Sequence, residues 1–188
     1  KETYQIVLNG KPYGETKKVV TSLYGLKPDT EYTVEIQGET AKETLSFRTE
    51  YEFVTLNVKD FGAKGDGEQD DTTYIQAAIM ACPKDSRVLI PEGTYRIRSL
   101  FLKNDVKIEL AKGAVLSAYT DRKLFAILPA MIQSYDETDE YNLGTWEGNP
   151  LPMFAGIVTG INVKNVEIYG EGMIEGNSGK EEGNWWYQ

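Results

Sequence analysis

Two stretches in the second half of the chain share one strand–turn–strand plan. The first reads VKIELAKGAV from Val106, and the second reads VEIYGEGMI from Val166. In each, apolar residues alternate along a short strand (Val106-x-Ile108 and Val166-x-Ile168), a tight turn follows, and another short strand begins (Gly113-x-Val115 and Gly172-x-Ile174). Repeated short strands of this kind indicate a solenoid, in which each coil buries its apolar face only by stacking on the next coil. A hairpin meander is the alternative.

An acidic, glycine-rich turn precedes the repeats and leads into a helical pattern, VKDFGAKGDGEQDDTTYIQAAI, residues 58–79. Apolar residues at positions 75, 78, 79 and 82 recur at the spacing of one helix face, and Pro83 ends the pattern. The sequence therefore predicts a helix over residues 72–82 that covers the open first coil. We interpret Asp66, Asp70 and Asp71 as turn and N-cap residues rather than as a catalytic carboxylate cluster.

Residues 1–50 read as short strands, including YQIVLNG, KKVVTS and LSFRTE. Asn9-Gly10 predicts a tight hairpin turn after the first of them. The segment LKPDTEYTVEI resembles a fibronectin type III domain, in which Tyr32 occupies the position of the tyrosine whose hydroxyl bonds to the upstream backbone. Such domains have about 100 residues, so the resemblance implies a partial β-sandwich over residues 1–50 whose first two strands are missing.

Composition excludes several classes of chemistry. The chain has no histidine, which excludes Ser-His-Asp and Cys-His catalysis and argues against a zinc site. With 29 acidic and 20 basic residues the formal net charge is −9, so we expect no nucleic-acid partner. No apolar run reaches the roughly 20 residues of a membrane span, and we expect no membrane association and no cofactor. The single cysteine, Cys82, lies among apolar residues and is predicted to be a buried core residue rather than a reactive thiol.

Residues 119–156 interrupt the repeats with a long insertion, and long insertions on rigid scaffolds are often functional. Trp146 and Glu147 lie in it: Trp146 either stacks on a sugar or anchors the insertion against the helix. Trp185 and Trp186 either form a sugar platform or pack under a loop. The insertion also holds an acidic cluster, which we interpret as a solvated loop rather than a cation site; its members are Asp136, Glu137, Asp139 and Glu140. We therefore predict no metal site.

The stretch over residues 58–79 resembles the N-terminal signature of right-handed parallel β-helix proteins of the pectin-lyase-like superfamily. Two further stretches, TWEGNPLPMFAGIVTGINVKNVEIYGEGMIEGN and the terminal GNWWYQ, resemble glycoside hydrolase family 28, the polygalacturonases, especially the bacterial exo-acting type with an N-terminal fibronectin-like domain. Glu175 replaces the commoner aspartate of the family's Ile-Asp-Gly turn. The implied fold is mostly β: a partial fibronectin type III-like sandwich (1–50), then the first coils of a right-handed parallel β-helix (51–188) capped by one short α-helix.

Family 28 implies hydrolysis of α-1,4 galacturonide bonds of pectin with inversion, by aspartates in Asn-Thr-Asp and Asp-Asp motifs with Gly-His-Gly and Arg-Ile-Lys motifs beside them. None of these catalytic motifs is matched here, because the single Asp-Asp pair is Asp70-Asp71 in the helix signature. We therefore expect the N-terminal portion of a polygalacturonase, inactive alone, with no catalytic residue in this chain. The implied partners are pectin, polygalacturonate or oligogalacturonides, and the implied location is secreted or periplasmic in a bacterium.

Two other functions stay open. One is a different β-helix polysaccharide enzyme, a lyase or an epimerase, since the signature at residues 58–79 specifies a fold better than a reaction. The other is a non-catalytic carbohydrate-binding module. For substrate contacts, the expected residues are Trp146, Glu147, Trp185 and Trp186.

Overall fold

The computed structural model describes residues 2–133 and 140–179, and the chain divides into two units, Lys1–Phe53 and Val54–Gln188. The first unit is one antiparallel sheet in the order β2-β1-β3-β4. Its strands are β1 (Tyr4–Leu8), β2 (Lys11–Thr16), β3 (Glu31–Gln37) and β4 (Lys42–Arg48).

The turn between β1 and β2 is formed by Asn9 and Gly10, both in the left-handed region with φ of 49° and 74°. This is the tight hairpin that the sequence predicts. The prediction of a strand over KKVVTS is wrong, because residues 17–22 have no neighbouring strand in this unit. Val19 is accordingly 99% exposed.

The Tyr32 hydroxyl accepts a hydrogen bond from the Lys27 backbone N at 2.8 Å, and its ring stacks on Phe47. This is the backbone contact expected of Tyr32, whereas the assignment to the fibronectin type III class stays a prediction. One face of the sheet lines an open cavity of about 770 Å³ whose walls include Ile6 and Val34.

The second unit is a parallel β-helix, as the repeats predict. One parallel sheet has the order β19-β10-β7-β5 and a second has the order β20-β11-β8-β6. The strands of these two sheets are β5 (Thr55–Asn57), β6 (Asp66–Asp70), β7 (Arg87–Ile90), β8 (Gly93–Ile97), β10 (Val106–Leu110), β11 (Ala114–Ala118), β19 (Val166–Gly170) and β20 (Met173–Glu175). A third, two-stranded parallel pair joins β9 (Leu100–Phe101) to β18 (Val158–Thr159).

The register between coils is regular although the chain length between them is not. Lys107 lies opposite Arg87, 20 residues earlier, and opposite Glu167, 60 residues later. The repeat predicted at Val106 and Val166 is confirmed, since these two residues are direct partners. The second half of the predicted alignment is wrong by one position: Leu116, not Val115, lies opposite Ile174. Val115 points outward, and Leu116 is 2% exposed in the core.

The predicted helix is α1 (Thr72–Ala81), and its buried face joins the core of the coils. Ile75, Ala78 and Ile79 are fully buried, and Cys82, at 1% exposure, is the core residue that the sequence predicts. Because the face of α1 contributes to the same core as the parallel strands, the helix closes the first coils as expected.

The N-terminus of α1 differs from the predicted cap. Asp71 stands at the N-cap position but makes no side-chain bond to the helix. Instead Asp70 Oδ1 accepts hydrogen bonds from the backbone N of Thr72 at 3.1 Å and from its hydroxyl at 2.5 Å. Asp71 is held by the glycine-rich turn: its carboxylate accepts from the backbone N of Lys64 and of Gly65, both at 2.9 Å.

The insertion at residues 119–156 forms antiparallel pairs outside the parallel sheets. The pairs are β12 (Ile127–Leu128) with β17 (Met153–Phe154), β13 (Met131–Gln133) with β14 (Glu140–Asn142), and β15 (Thr145–Trp146) with β16 (Asn149–Pro150). Within the described residues, no helix is both long enough and apolar enough to cross a membrane.

Candidate functional site

A line of polar side chains follows the outer face of the second parallel sheet. Alternation along β8 buries Tyr95 and Ile97 completely and turns Arg96 outward. In the ladder, Ser117 lies opposite Arg96, and Glu175 lies opposite Ser117. Two residues farther along the chain, just past the end of each strand, lie Arg98, Tyr119 and Asn177. We call this set the polar strip; its members are Arg96, Arg98, Ser117, Tyr119, Glu175 and Asn177.

Arg96 is the central cation of the polar strip. Its guanidinium carbon lies 4.6 Å from the centroid of the Tyr119 ring, in the next coil, which is the geometry of a cation–π contact. Its Nε is buried and has no hydrogen-bond partner among the residues described, and none of them forms an ion pair with it. Arg96 is therefore positioned by stacking rather than by a carboxylate.

Arg98 lies at the helix side of the polar strip. Its Nε is 3.0 Å from Asp70 Oδ2, an ion pair without hydrogen-bond alignment, and its backbone N donates to Thr72 Oγ1 at 2.9 Å. Arg98 also lines an open cavity of about 500 Å³ together with Met80 and Phe101. The cavity walls are fixed, because Gln76 on α1 both donates to and accepts from the Phe101 backbone at 2.8 Å.

The polar strip extends to the coil of β20 through Asn177. Its Nδ2 donates to Ser117 Oγ at 2.9 Å and to the Ala118 carbonyl at 2.7 Å. Asn177 has a φ of 48°, a left-handed conformation that asparagine tolerates better than most residues. Arginine, tyrosine, asparagine and serine side chains thus converge on one face, and these are the groups that recognise sugars and their carboxylates.

The polar strip is suited to binding rather than to hydrolysis. Its nearest carboxylates are Asp70 and Glu175, three ladder steps apart in the register, which is about 14 Å at the usual strand spacing. An inverting glycosidase needs two carboxyl groups about 6.5–9.5 Å apart. In addition, Asp70 accepts a hydrogen bond from Thr72 and forms an ion pair with Arg98. Among the described residues there is no cluster of three or more metal-binding side chains.

The residues predicted to contact substrate lie elsewhere. Trp146 ends β15 and is 66% exposed, which does not support its interpretation as a buried anchor. Glu147 and Gly148 form the turn of the β15/β16 hairpin, with φ of 49° and 84°. Trp185 and Trp186 lie outside the described residues, as do Asp136, Glu137 and Asp139 of the acidic cluster. Glu140 begins β14.

Sequence reasoning missed the polar strip. The signal was present in TYRIRS, where Arg96 and Arg98 alternate with buried residues at the period of a strand. Tyr119 stands at the matching place in the next coil, but assigning it there requires the 21-residue offset between Arg96 and Ser117 that only the ladder gives.

Comparisons with known proteins find relatives of the unit that contains these coils. A family described as rhamnogalacturonase A/epimerase, pectate lyase-like, matches residues 55–111. An exo-poly-alpha-D-galacturonosidase from Dickeya chrysanthemi is 30% identical over 174 residues, covering 83% of this chain and 26% of the relative. Alginate lyase 7 from Azotobacter vinelandii is 60% identical over 43 residues, which are 22% of this chain and 5% of that protein.

Solved structures show the same likeness. The family 28 exopolygalacturonase of Yersinia enterocolitica matches with a TM-score of 0.62 and 25% identity, covering 93% of this chain and 36% of that one. The exopolygalacturonase of Thermotoga maritima matches with a TM-score of 0.54 and 26% identity, covering 73% and 28%. The chain therefore spans about a quarter to a third of the length of these relatives.

Proposed function

We propose that this chain is the N-terminal portion of a family 28 polygalacturonase that hydrolyses α-1,4 galacturonide bonds of pectin with inversion and acts from the chain end. The observation that supports this most is the 30% identity to the Dickeya chrysanthemi enzyme over 83% of the chain. The likeness to two exopolygalacturonase structures extends over the parallel coils and supports the same reaction and the same exo mode.

The catalytic aspartates belong, in this proposal, to coils downstream of those described. The polar strip supports this division of the enzyme, because Glu175 in the strip and Asp70 beside it are too far apart to serve as acid and base across one water. The coils of this chain supply the scaffold on which the later coils stack and one part of the substrate-binding face.

The experiment compares two proteins on polygalacturonate: the 188-residue chain and the same chain extended through its downstream coils. We expect the extended protein to release mono- or digalacturonate from the outset, with reducing ends rising before viscosity falls, and we expect no reducing ends from the 188-residue chain. Hydrolysis by the short chain alone would refute the division. A rapid early loss of viscosity would refute the exo mode.

A second candidate is a β-helix lyase or epimerase acting on another polyuronate. The 60% identity to alginate lyase 7 over 43 residues favours it, although that segment covers only 22% of this chain. The extended protein decides between the two. A lyase produces unsaturated uronide ends and incorporates no solvent oxygen, and an epimerase breaks no glycosidic bond. In oxygen-labelled water a hydrolase gives saturated products that carry the label.

Trp146 and Glu147 are proposed contacts for the sugar chain, since Trp146 keeps two thirds of its surface exposed at the tip of a tight hairpin. An exposed aromatic face suits the C–H face of a pyranose ring. In the extended protein we expect Trp146→Ala to raise KM for oligogalacturonides several-fold with little change in melting temperature. Tyr51→Ala, a similarly exposed aromatic of the first unit (61%), is the matched control. For Trp185 and Trp186 a substrate contact stays a prediction from the sequence.

The proposed substrate also suggests where the protein works. Pectin is a polymer too large to enter the cytoplasm, so an enzyme that shortens it acts outside the cytoplasm, secreted or periplasmic, in a bacterium. The first unit, proposed as a partial fibronectin type III-like domain, fits a spacer role there. Its four-stranded sheet and the Tyr32–Lys27 contact are consistent with that class.

A further inference from the structure

We propose that Arg96, stacked on Tyr119, and Arg98 beside it form a binding subsite for uronate carboxylates on the coils described here. The galacturonide identity of the ligand rests on the proposed function; the carboxylate chemistry rests on the polar strip itself. Such a subsite would hold part of an anionic sugar chain through its carboxylates.

The charge balance of the chain makes Arg96 unusual. In a chain of net charge −9, the basic side chains on the outer face of the first parallel sheet have acidic partners across the ladder. Arg87 pairs with Glu109, and Lys107 lies 3.7 Å from Glu167. Arg96 forms no ion pair among the described residues, because Asp70, which lies opposite it in the ladder, pairs with Arg98 instead. An ion pair among the described residues therefore does not explain why position 96 is an arginine.

Stacking on Tyr119 prepares Arg96 for a carboxylate. The phenol ring 4.6 Å from the guanidinium carbon holds the plane of the cation, and the buried Nε has no hydrogen-bond partner among the described residues. A planar guanidinium binds a carboxylate through two parallel N–H···O bonds in its own plane. Because the plane is already fixed, less side-chain entropy is lost when the anion arrives.

Arg98 extends the subsite toward a cavity of suitable size and lining. Its Nε faces Asp70 at 3.0 Å without hydrogen-bond alignment. The adjoining cavity of about 500 Å³ has apolar walls at Met80 and Phe101. A pyranose ring with one apolar face and one carboxylate matches this mixture of groups. Arg96 and Arg98 are two residues apart along the chain, and a polyuronate offers a carboxylate to each of them.

The experiment is a calorimetric titration of the 188-residue chain with a short oligogalacturonide, as the free acid and as its methyl ester. We expect Arg96→Gln to weaken binding of the free acid at least tenfold, while weak binding of the ester is unchanged. Arg96→Lys, which keeps the charge but loses the planar fork, should fall between them. Arg48→Gln in the first unit removes the same charge and is the matched control. The loss of affinity for the free acid caused by Arg96→Gln should shrink as the salt concentration is raised.

Three results would overturn the subsite: equal weakening of acid and ester by Arg96→Gln, no weakening by it, or the same weakening by Arg48→Gln. Melting temperatures of the variants identify any loss that is due to unfolding, and Arg96→Lys then carries the test. Titration with oligomannuronate separates the two proposals. Binding of mannuronate but not of galacturonate, with the same dependence on Arg96, would support the carboxylate subsite and contradict the pectin substrate. Cleavage of pectin by the extended protein, with no effect of the Arg96 substitution on binding, would support the pectin substrate and contradict the carboxylate subsite.

Discussion

Asp71 is a fully buried carboxylate that holds the glycine-rich turn before α1 together. Besides the backbone N of Lys64 and Gly65, it accepts a hydrogen bond from Gln69 Nε2 at 2.7 Å. A buried charge is tolerated in a protein only when its lone pairs are satisfied in this way. The acidic character of the stretch thus serves the local fold.

Replacing Asp71 with asparagine should destabilise the second unit by roughly 3 kcal/mol, because one oxygen acceptor becomes a donor that faces other donors in a buried site. Urea denaturation followed by circular dichroism measures this loss. Asp60→Asn, at an exposed position, is the control and should change stability by less than about 0.5 kcal/mol. Equal stability of the two variants would contradict the role assigned to Asp71.

Tyr95 is fully buried, and its hydroxyl donates to the Pro91 carbonyl at 2.9 Å. Burial, with the negative charge of Asp71 as a second cause, raises the pKa of Tyr95 to about 12. The ordinary tyrosine pKa is about 10, so the folded state keeps this proton more tightly than the unfolded state does. The stability from this group is therefore complete below pH 10 and is lost as the pH rises through 12.

We expect the free energy of unfolding to fall above pH 10 with a contribution from Tyr95 of up to about 1.4 kcal/mol per pH unit. Tyr95→Phe should remove that part of the slope, and in the wild type one tyrosine should ionise later than most of the 12 present. Denaturant titrations at several alkaline pH values, with tyrosinate absorbance, measure both. An unchanged slope in Tyr95→Phe would show that another group is responsible.

At the scale of elements, the contact between the coils of β10 and β19 depends on a glycine. Gly170 ends β19 with a φ of 118°, and a Cβ built there would lie 2.0 Å from the Leu110 carbonyl oxygen. No side chain fits at that distance from the backbone of the neighbouring strand. The glycine therefore sets how closely β19 stacks on β10.

Gly170→Ala should separate β19 from β10 and expose the amides of β10 to solvent. Hydrogen exchange would show faster exchange at Val106–Leu110 while β7 remains protected. Gly176→Ala is the matched control in the same coil, since a Cβ there would meet only Ile157 Cδ1 at 3.6 Å. Retained protection in Gly170→Ala would mean that the coils shift to admit the methyl group.

The sequence predicted elements well where a period was visible. The helix face of α1 and the pairing of Val106 with Val166 follow from apolar spacing alone, and both are confirmed. The comparisons also confirm the resemblance to family 28 exopolygalacturonases. The one-residue error at Val115 arose because the turns before β11 and β20 differ in length, and turn length is not fixed by hydrophobic period. The strand predicted over residues 17–22 failed because β propensity has no effect without a partner strand.

The polar strip was beyond the reach of sequence reasoning for a related reason. Its members come from three coils, and the second and third are separated by the insertion, so their proximity depends on long-range register. The sequence indicated tryptophans as substrate contacts instead, because a large aromatic residue can be chosen as a candidate without knowing the strand register. Arg96 becomes notable only when the structure shows that it forms no ion pair with the described residues around it, since Asp70 opposite it pairs with Arg98.

At the scale of the whole chain, the last described coil presents an apolar edge. Ile168, Met173 and Ile174 are 42%, 54% and 43% exposed, and β19 and β20 each have only one neighbouring strand among the described residues. An uncovered parallel edge of this kind is a template for pairing with another chain.

We therefore expect the isolated 188-residue chain to associate at micromolar concentrations, as measured by sedimentation velocity. Ile168→Lys should shift it toward the monomer. Thr94→Lys adds the same charge at an exposed position of the first coils and should leave association unchanged. An equal effect of the two lysines would point to net charge, rather than to the edge, as the cause.

The unequal spacing of the coils has a consequence for how proteins of this kind diversify. Stacked residues are 20 positions apart between β7 and β10 but 60 apart between β10 and β19, with the same register. Closing a chain segment three times as long costs only about 1 kcal/mol in loop entropy. The stability of the stacked coils therefore depends little on the length of the segment between β10 and β19. Evolution can lengthen, shorten or replace the segment there while the register of the coils beneath it is kept.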